Sequence, residues 1–284
     1  MTDIHQHSQD HDLVLPTYIG YHHWTKQLVK EKVERDPLIQ KATVYDDKYR
    51  FCRNTIAIYN FENNPVFGKY KTVIIDYKKG FVLYKKATRS ILRSYSTGTL
   101  LSGLYLQKFI ARNIGLCCYH SISLIHLVFF SLQTYTKNNT DWVGLHFFQN
   151  FSVEDNTIKF LSIPLRGINY VFTFEHNNPL IHQRIRDSLM HNSCLSRKVH
   201  EYHSAVAWDC DKQAHETGSM IFNPNFLAKT RFLTYFTLKR IADEIGHDWI
   251  CIYMKHVAEE YNLKCWNEDH KYFYSFLKRK HQNY

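Results

Sequence analysis

Acidic residues are nearly missing from one long stretch of this chain. Between residues 51 and 112 only Glu62 and Asp76 oppose eleven Lys or Arg, so this segment holds +9 of the formal net charge of +10. Glycine and proline are also scarce, at 10 and 6 in 284 residues, which excludes a collagenous or low-complexity chain. The 7 cysteines are scattered and form no CxxC pair, so they read as reduced thiols rather than a disulfide framework. No GxSxG elbow, Walker glycine loop, GxGxxG or HExxH is present, and each of those would fix groups around a reacting atom. A secretory signal is not expected, because MTDIHQHSQDHD is polar and acidic where a leader is basic and then apolar. The expected location is therefore the cytoplasm.

The stretch from 114 to 132, IGLCCYHSISLIHLVFFSL, carries no Asp, Glu, Lys or Arg. It approaches the length a bilayer requires. His120, His126, Ser121, Ser123 and Ser131 interrupt it, however, and Ile122, Leu124 and Val128 alternate. This pattern predicts two consecutive buried strands and no membrane partner.

What the chain has in abundance is aromatic residues, 20 Tyr and 19 Phe, which favour strands and stacking surfaces. Within the basic segment NTIAIYN (54–60), KYKTVIID (69–76) and GFVLYKK (80–86) read as strands, with Lys78-Lys79-Gly80 as a turn. Basic residues interleaved with Tyr on a sheet suit a polyanion, since Lys and Arg displace condensed counterions from nucleic acid. A solubilising sheet face is the plainer reading of the same lysines.

Several blocks fall in a recognisable order. NTIAIYN and the Lys-rich strand pair are followed by Arg93-Ser94, then Gly103 opening LYLQKFIAR. Phe129-Phe130 precede a polar loop that ends at Asp141-Trp142-Val143, and Ile163-Pro164 and INYVFTFEHN lie beyond it. Over about residues 45–190 this arrangement resembles the ComK family of competence transcription factors. Ser131 and Leu132 replace the family's Pro and Thr after the aromatic pair, and Leu104 stands where the family has a basic residue. The resemblance implies an activator that binds A/T-rich boxes in double-stranded DNA through the minor groove, a nucleoid-associated location, and contact with transcription machinery. A narrow A-tract groove attracts Arg and Lys without a helix in the major groove. The expected DNA contacts are Lys69, Lys71, Lys78, Lys79, Lys85 and Lys86 on phosphate, with Arg89 and Arg93 entering the groove.

The expected fold class is α+β, with a β-rich basic core followed by a small helical C-terminal subdomain. The expected domains are a His-rich tail and short helix at 1–44, the DNA-binding core at 45–190, and a linker with helical subdomain at 191–284. A helix is expected from His22 to about Arg35, stopped by Asp36-Pro37. From about 226 the apolar period becomes helical, and RIADEIGHDWICIYMKHV superficially resembles a helix-turn-helix. His191, Cys194, His200, His203, Cys210 and His215 are irregularly spaced and read as polar loop rather than a zinc site. No metal or other cofactor and no enzymatic activity are expected. Homo-oligomeric binding is expected because apolar edges such as SISLIHLVFF lack protecting charge. The rival readings are a protein-interaction adaptor, or a His-dependent enzyme using His176 or His182 with Arg184.

Overall fold

The computed structural model describes residues 15–98, 104–116, 121–134, 138–205 and 218–223, with isolated positions at 225, 246 and 250. In chain order the regular elements begin with β1 (His23–Thr25), α1 (Lys26–Arg35), α2 (Pro37–Lys41), β2 (Thr43–Tyr45), β3 (Thr55–Asn60), β4 (Thr72–Asp76) and β5 (Gly80–Tyr84). There follow α3 (Thr88–Gly98), α4 (Leu104–Asn113), β6 (Ser121–Ser123), β7 (Val128–Ser131) and β8 (Trp142–Gly144). The last are β9 (Phe148–Glu154), β10 (Thr157–Ser162), β11 (Val171–Glu175) and α5 (Ile181–Ala205). The fold is mixed α+β, with one sheet of four strands and one of seven.

Two compact units divide the chain, one made of residues 1–91 and 131–178, the other of 92–130 and 179–284. In the first, the four-stranded sheet runs β1-β11-β10-β9. Its strands alternate more buried and less buried residues, the pattern of a sheet with one face covered. Five strands of the larger sheet, in the order β2-β5-β4-β3-β8, belong to the same unit. Here β4, β5 and β8 are buried at every residue and β3 at all but its last, because Ile56-Ala57-Ile58, Val73-Ile74-Ile75 and Phe81-Val82-Leu83 are unbroken apolar runs covered on both faces. The two sheets meet through rings: Tyr59 of β3 stacks on Phe174 of β11 at 4.9 Å, and Trp24 of β1 lies 5.1 Å from Phe81 of β5. Phe160 joins Phe174 and Phe148 in the same layer. Trp142 is 1% exposed and edge-on to Phe51, so it is a core residue of this unit.

The helix expected from His22 begins only at Lys26, because His23–Thr25 instead pair in parallel with Val171–Thr173. Thr25 caps α1 by accepting from Leu28 N–H, and Asp36 then caps α2, whose first residue is Pro37.

The second unit contains the β6–β7 hairpin, α4 and α5. Ile110, Ile114, Cys194 and Leu195 form its apolar cluster. The two strands expected within 114–132 are present, and among the described residues no helix is long and apolar enough to cross a membrane. The expected division at 190–191 falls inside α5. The helices expected beyond 226, including the helix-turn-helix candidate, lie outside the described residues, as do Cys210, His215 and the side chain of His203.

Candidate nucleic-acid interface

The basic segment folds so that its lysines flank the strands. In the β4–β5 pair Thr72 faces Tyr84 and Asp76 faces Gly80. Every residue between is buried, so no lysine stands on a sheet face. The cations fall at two ends of the hairpin, about 14 Å apart at the rise of an extended strand.

At the turn end, Lys78 and Lys79 are exposed, but a buried carboxylate organises them. Asp76 Oδ1 accepts the backbone N–H groups of Lys78 and Lys79 at 2.9 Å each, while Oδ2 accepts from Tyr49 Oη at 2.7 Å. Gly80 follows at φ +74, where an added Cβ would lie 2.6 Å from the Ala42 carbonyl oxygen. Lys79 Nζ pairs with Asp46 at 2.8 Å, and that contact holds the Asp46 carboxyl below its ordinary range. The turn end is a structural device with its charge largely balanced.

The opposite end is built by the β3–β4 connection and the junction from β5 into α3. Lys69, Lys71, Lys85, Lys86 and Arg89 are all exposed there. Lys71 and Lys85 immediately flank the paired residues Thr72 and Tyr84, and Thr72 Oγ1 donates to the Lys86 carbonyl at 2.8 Å. Tyr70 packs on the exposed Tyr45 at 5.3 Å between centroids, and Lys69 Nζ sits 5.6 Å from the Tyr70 ring centre. Lys85 pairs with Asp47 at 2.9 Å, and the lysine holds that carboxyl low. Arg89 N–H donates to Asn139 Oδ1 at 3.2 Å, which orients the start of α3. Glu62 accepts from Asn139 Nδ2 nearby. Five cations thus share this end with the carboxylates of Asp47, Glu62 and, at the Phe67 turn, Glu34, with tyrosine rings among them. The side chain of Arg93 lies outside the described residues.

The β3–β4 connection also carries an exposed aromatic that the pattern of charges did not single out. Phe67, 47% exposed, has φ +51 and is followed by Gly68 at φ +66. Both central residues of the turn closed by Lys69 N–H on the Val66 carbonyl therefore have positive φ, as a type I′ turn requires. Asn-Gly is the ordinary choice for that turn, and a phenylalanine in the left-handed region costs about 1–2 kcal/mol. The signal in the sequence is VFGK between two strands, an aromatic where a turn former belongs.

Next to this end, Asp141 fastens the Trp142 loop. Its carboxylate accepts Asn60 N–H at 2.6 Å and Lys26 Nζ at 3.1 Å, and burial raises its carboxyl above the ordinary range in spite of the lysine. Among the described residues no group of three His, Cys, Asp or Glu is placed to hold a metal ion. His191 is buried and fully engaged: Nε2 lies 3.1 Å from the Gln107 carbonyl and Nδ1 3.0 Å from Ser123 Oγ. The comparisons with protein-family models, curated proteins and solved structures give no match to this chain.

Proposed function

We propose that the protein binds double-stranded DNA through the basic end of the β4–β5 hairpin and acts as a transcriptional activator of the ComK type. The observation that carries this reading is the gathering of Lys69, Lys71, Lys85, Lys86 and Arg89 beside Tyr45 and Tyr70, on a support rigidified by two sheets. Phosphate neutralisation by such a group gives sequence-independent affinity and a steep salt dependence. Arg89 at the start of α3 is its groove-entering residue. Lys78 and Lys79 belong to the peripheral field, since the turn they occupy is devoted to Asp76. The resemblance of residues 45–190 to the ComK family supports the choice of A/T-rich boxes as the target, and two subunits on a two-box site would share the release of counterions.

The test is fluorescence anisotropy of an A/T-box duplex against a scrambled G/C duplex, each at two salt concentrations. The reading predicts preference for the A/T box and a loss of affinity with salt. Equal binding to both duplexes would remove the activator reading and leave only a polyanion surface. No binding to either would remove both.

A further inference from the structure

We infer that Phe67 is a wedge that inserts against a base step of the bound duplex, an assignment that rests on the DNA-binding reading above. Three observations converge on this side chain. First, it points away from the core while its neighbour Val66 is 0% exposed, so the chain separates an anchoring residue from a presented one. Second, the backbone is held in an unfavourable conformation for it, at φ +51 in a turn that asparagine would fit better. Strain retained at an exposed aromatic is the pattern of a residue kept for contact rather than for stability.

Third, the turn is fastened from beneath. Phe67 N–H donates to Glu34 Oε1 at 2.9 Å, and Lys30 Nζ donates to the Asn64 carbonyl at 3.1 Å and to Asn64 Oδ1 at 2.5 Å. Val66 and Tyr70 exchange both backbone hydrogen bonds at 2.9 Å. A tip fixed in this way loses little conformational freedom when it docks. Its position is also the useful one, because Lys69 and Lys71 follow within four residues and would draw the phosphates on either side of the step toward it. Apolar wedges flanked by cations unstack and kink duplexes from the minor-groove side.

The experiment uses the full chain and an A/T-box duplex with 2-aminopurine replacing one adenine at a time, since this base fluoresces when it leaves the stack. Wild-type protein should raise emission severalfold at one step. Phe67→Asn should fold with a raised melting temperature, bind roughly ten- to hundred-fold more weakly from the loss of one stacking contact, keep the wild-type salt slope, and give no rise. Phe67→Trp should retain the rise. Wild-type binding with no rise at any position, or an undiminished rise with Phe67→Asn, would overturn the wedge while leaving DNA binding in place. Normal DNA affinity in Phe67→Asn with loss of self-association by light scattering would also overturn it, making Phe67 a protein contact. Failure of the wild type to bind any duplex would overturn both readings.

Discussion

The two ends of the β4–β5 hairpin are made from the same residue type and are put to different uses. At the turn end the lysines contribute backbone N–H groups to a buried carboxylate, and Lys79 returns its charge to Asp46. At the basic end the lysines leave the sheet at its rim, with Asp47, Glu62 and Glu34 as nearby carboxylates. A lysine count along the sequence cannot separate these roles. The position of each lysine relative to the last buried strand residue does.

The comparison breaks most visibly in DNA affinity. Replacing Lys69, Lys71, Lys85 and Lys86 together by Gln should lower duplex affinity roughly a thousand-fold near 0.1 M salt, because four counterion releases are lost. Replacing Lys78 and Lys79 should cost less than about ten-fold under the same conditions. Competition anisotropy measures both. Equal losses would show that the two ends act as one surface.

Stability should sort in the opposite sense. Asp76→Ala leaves two backbone N–H groups without their acceptor and removes one of the Tyr49 hydroxyl's partners, at a cost of about 3 kcal/mol in urea unfolding. The four basic-end substitutions are exposed and should change stability by less than about 1 kcal/mol. An Asp76→Ala protein as stable as wild type would remove the structural role assigned to the turn end.

Acid separates the lysine surface from the interior of the second unit. His191 is buried and, among the described residues, has no charged partner; burial lowers its pKa from the ordinary 6.5 to about 4. The unfolded chain therefore binds the proton more readily than the folded one. This contribution is fully present above pH 6.5 and is lost as pH falls from 6.5 toward 4, reaching roughly 3 kcal/mol. Lysine charge does not change in that interval, so the lysine contribution to DNA affinity per folded molecule should stay constant while the unfolding midpoint falls. His191→Gln should flatten the stability profile. An unchanged profile in that variant would show that other groups carry the acid sensitivity.

The smallest effect concerns Lys85, which is paired at the basic end. Asp47→Asn frees Lys85 from an exposed ion pair of modest strength, so duplex affinity should rise about two- to five-fold and stability should barely change. A fall in affinity would mean that Asp47 positions Lys85 for contact.

How much of this was legible beforehand can be judged from particular residues. The runs IAI, VII and FVL are continuous rather than alternating, and that alone excludes a lysine-bearing face between them, because such strands are covered on both sides. The strands were readable, while the placement of KYK and YKK on them was not, since boundaries depend on where the apolar cover ends. The α1 boundary shifted for a similar reason: pairing with Val171–Thr173, nearly 150 residues away, claims His23–Thr25. Local pattern carries no information about such partners. Phe67 escaped notice because charge was the guide and the left-handed turn is a conformational fact. The Asp141 clamp was equally hidden, as Asn60 and Lys26 are remote in sequence.

The central claim is that the basic end, and not the turn end, grips the duplex. The direct measurement is the slope of log affinity against log salt for wild type, the basic-end quadruple variant and the Lys78/Lys79 double variant. Five cations, four on phosphate and Arg89 in the groove, together displace about five counterions and predict a wild-type slope of about −4.5, falling to about −1 in the quadruple variant and remaining near wild type in the double variant. A quadruple variant that keeps the wild-type slope would contradict the claim.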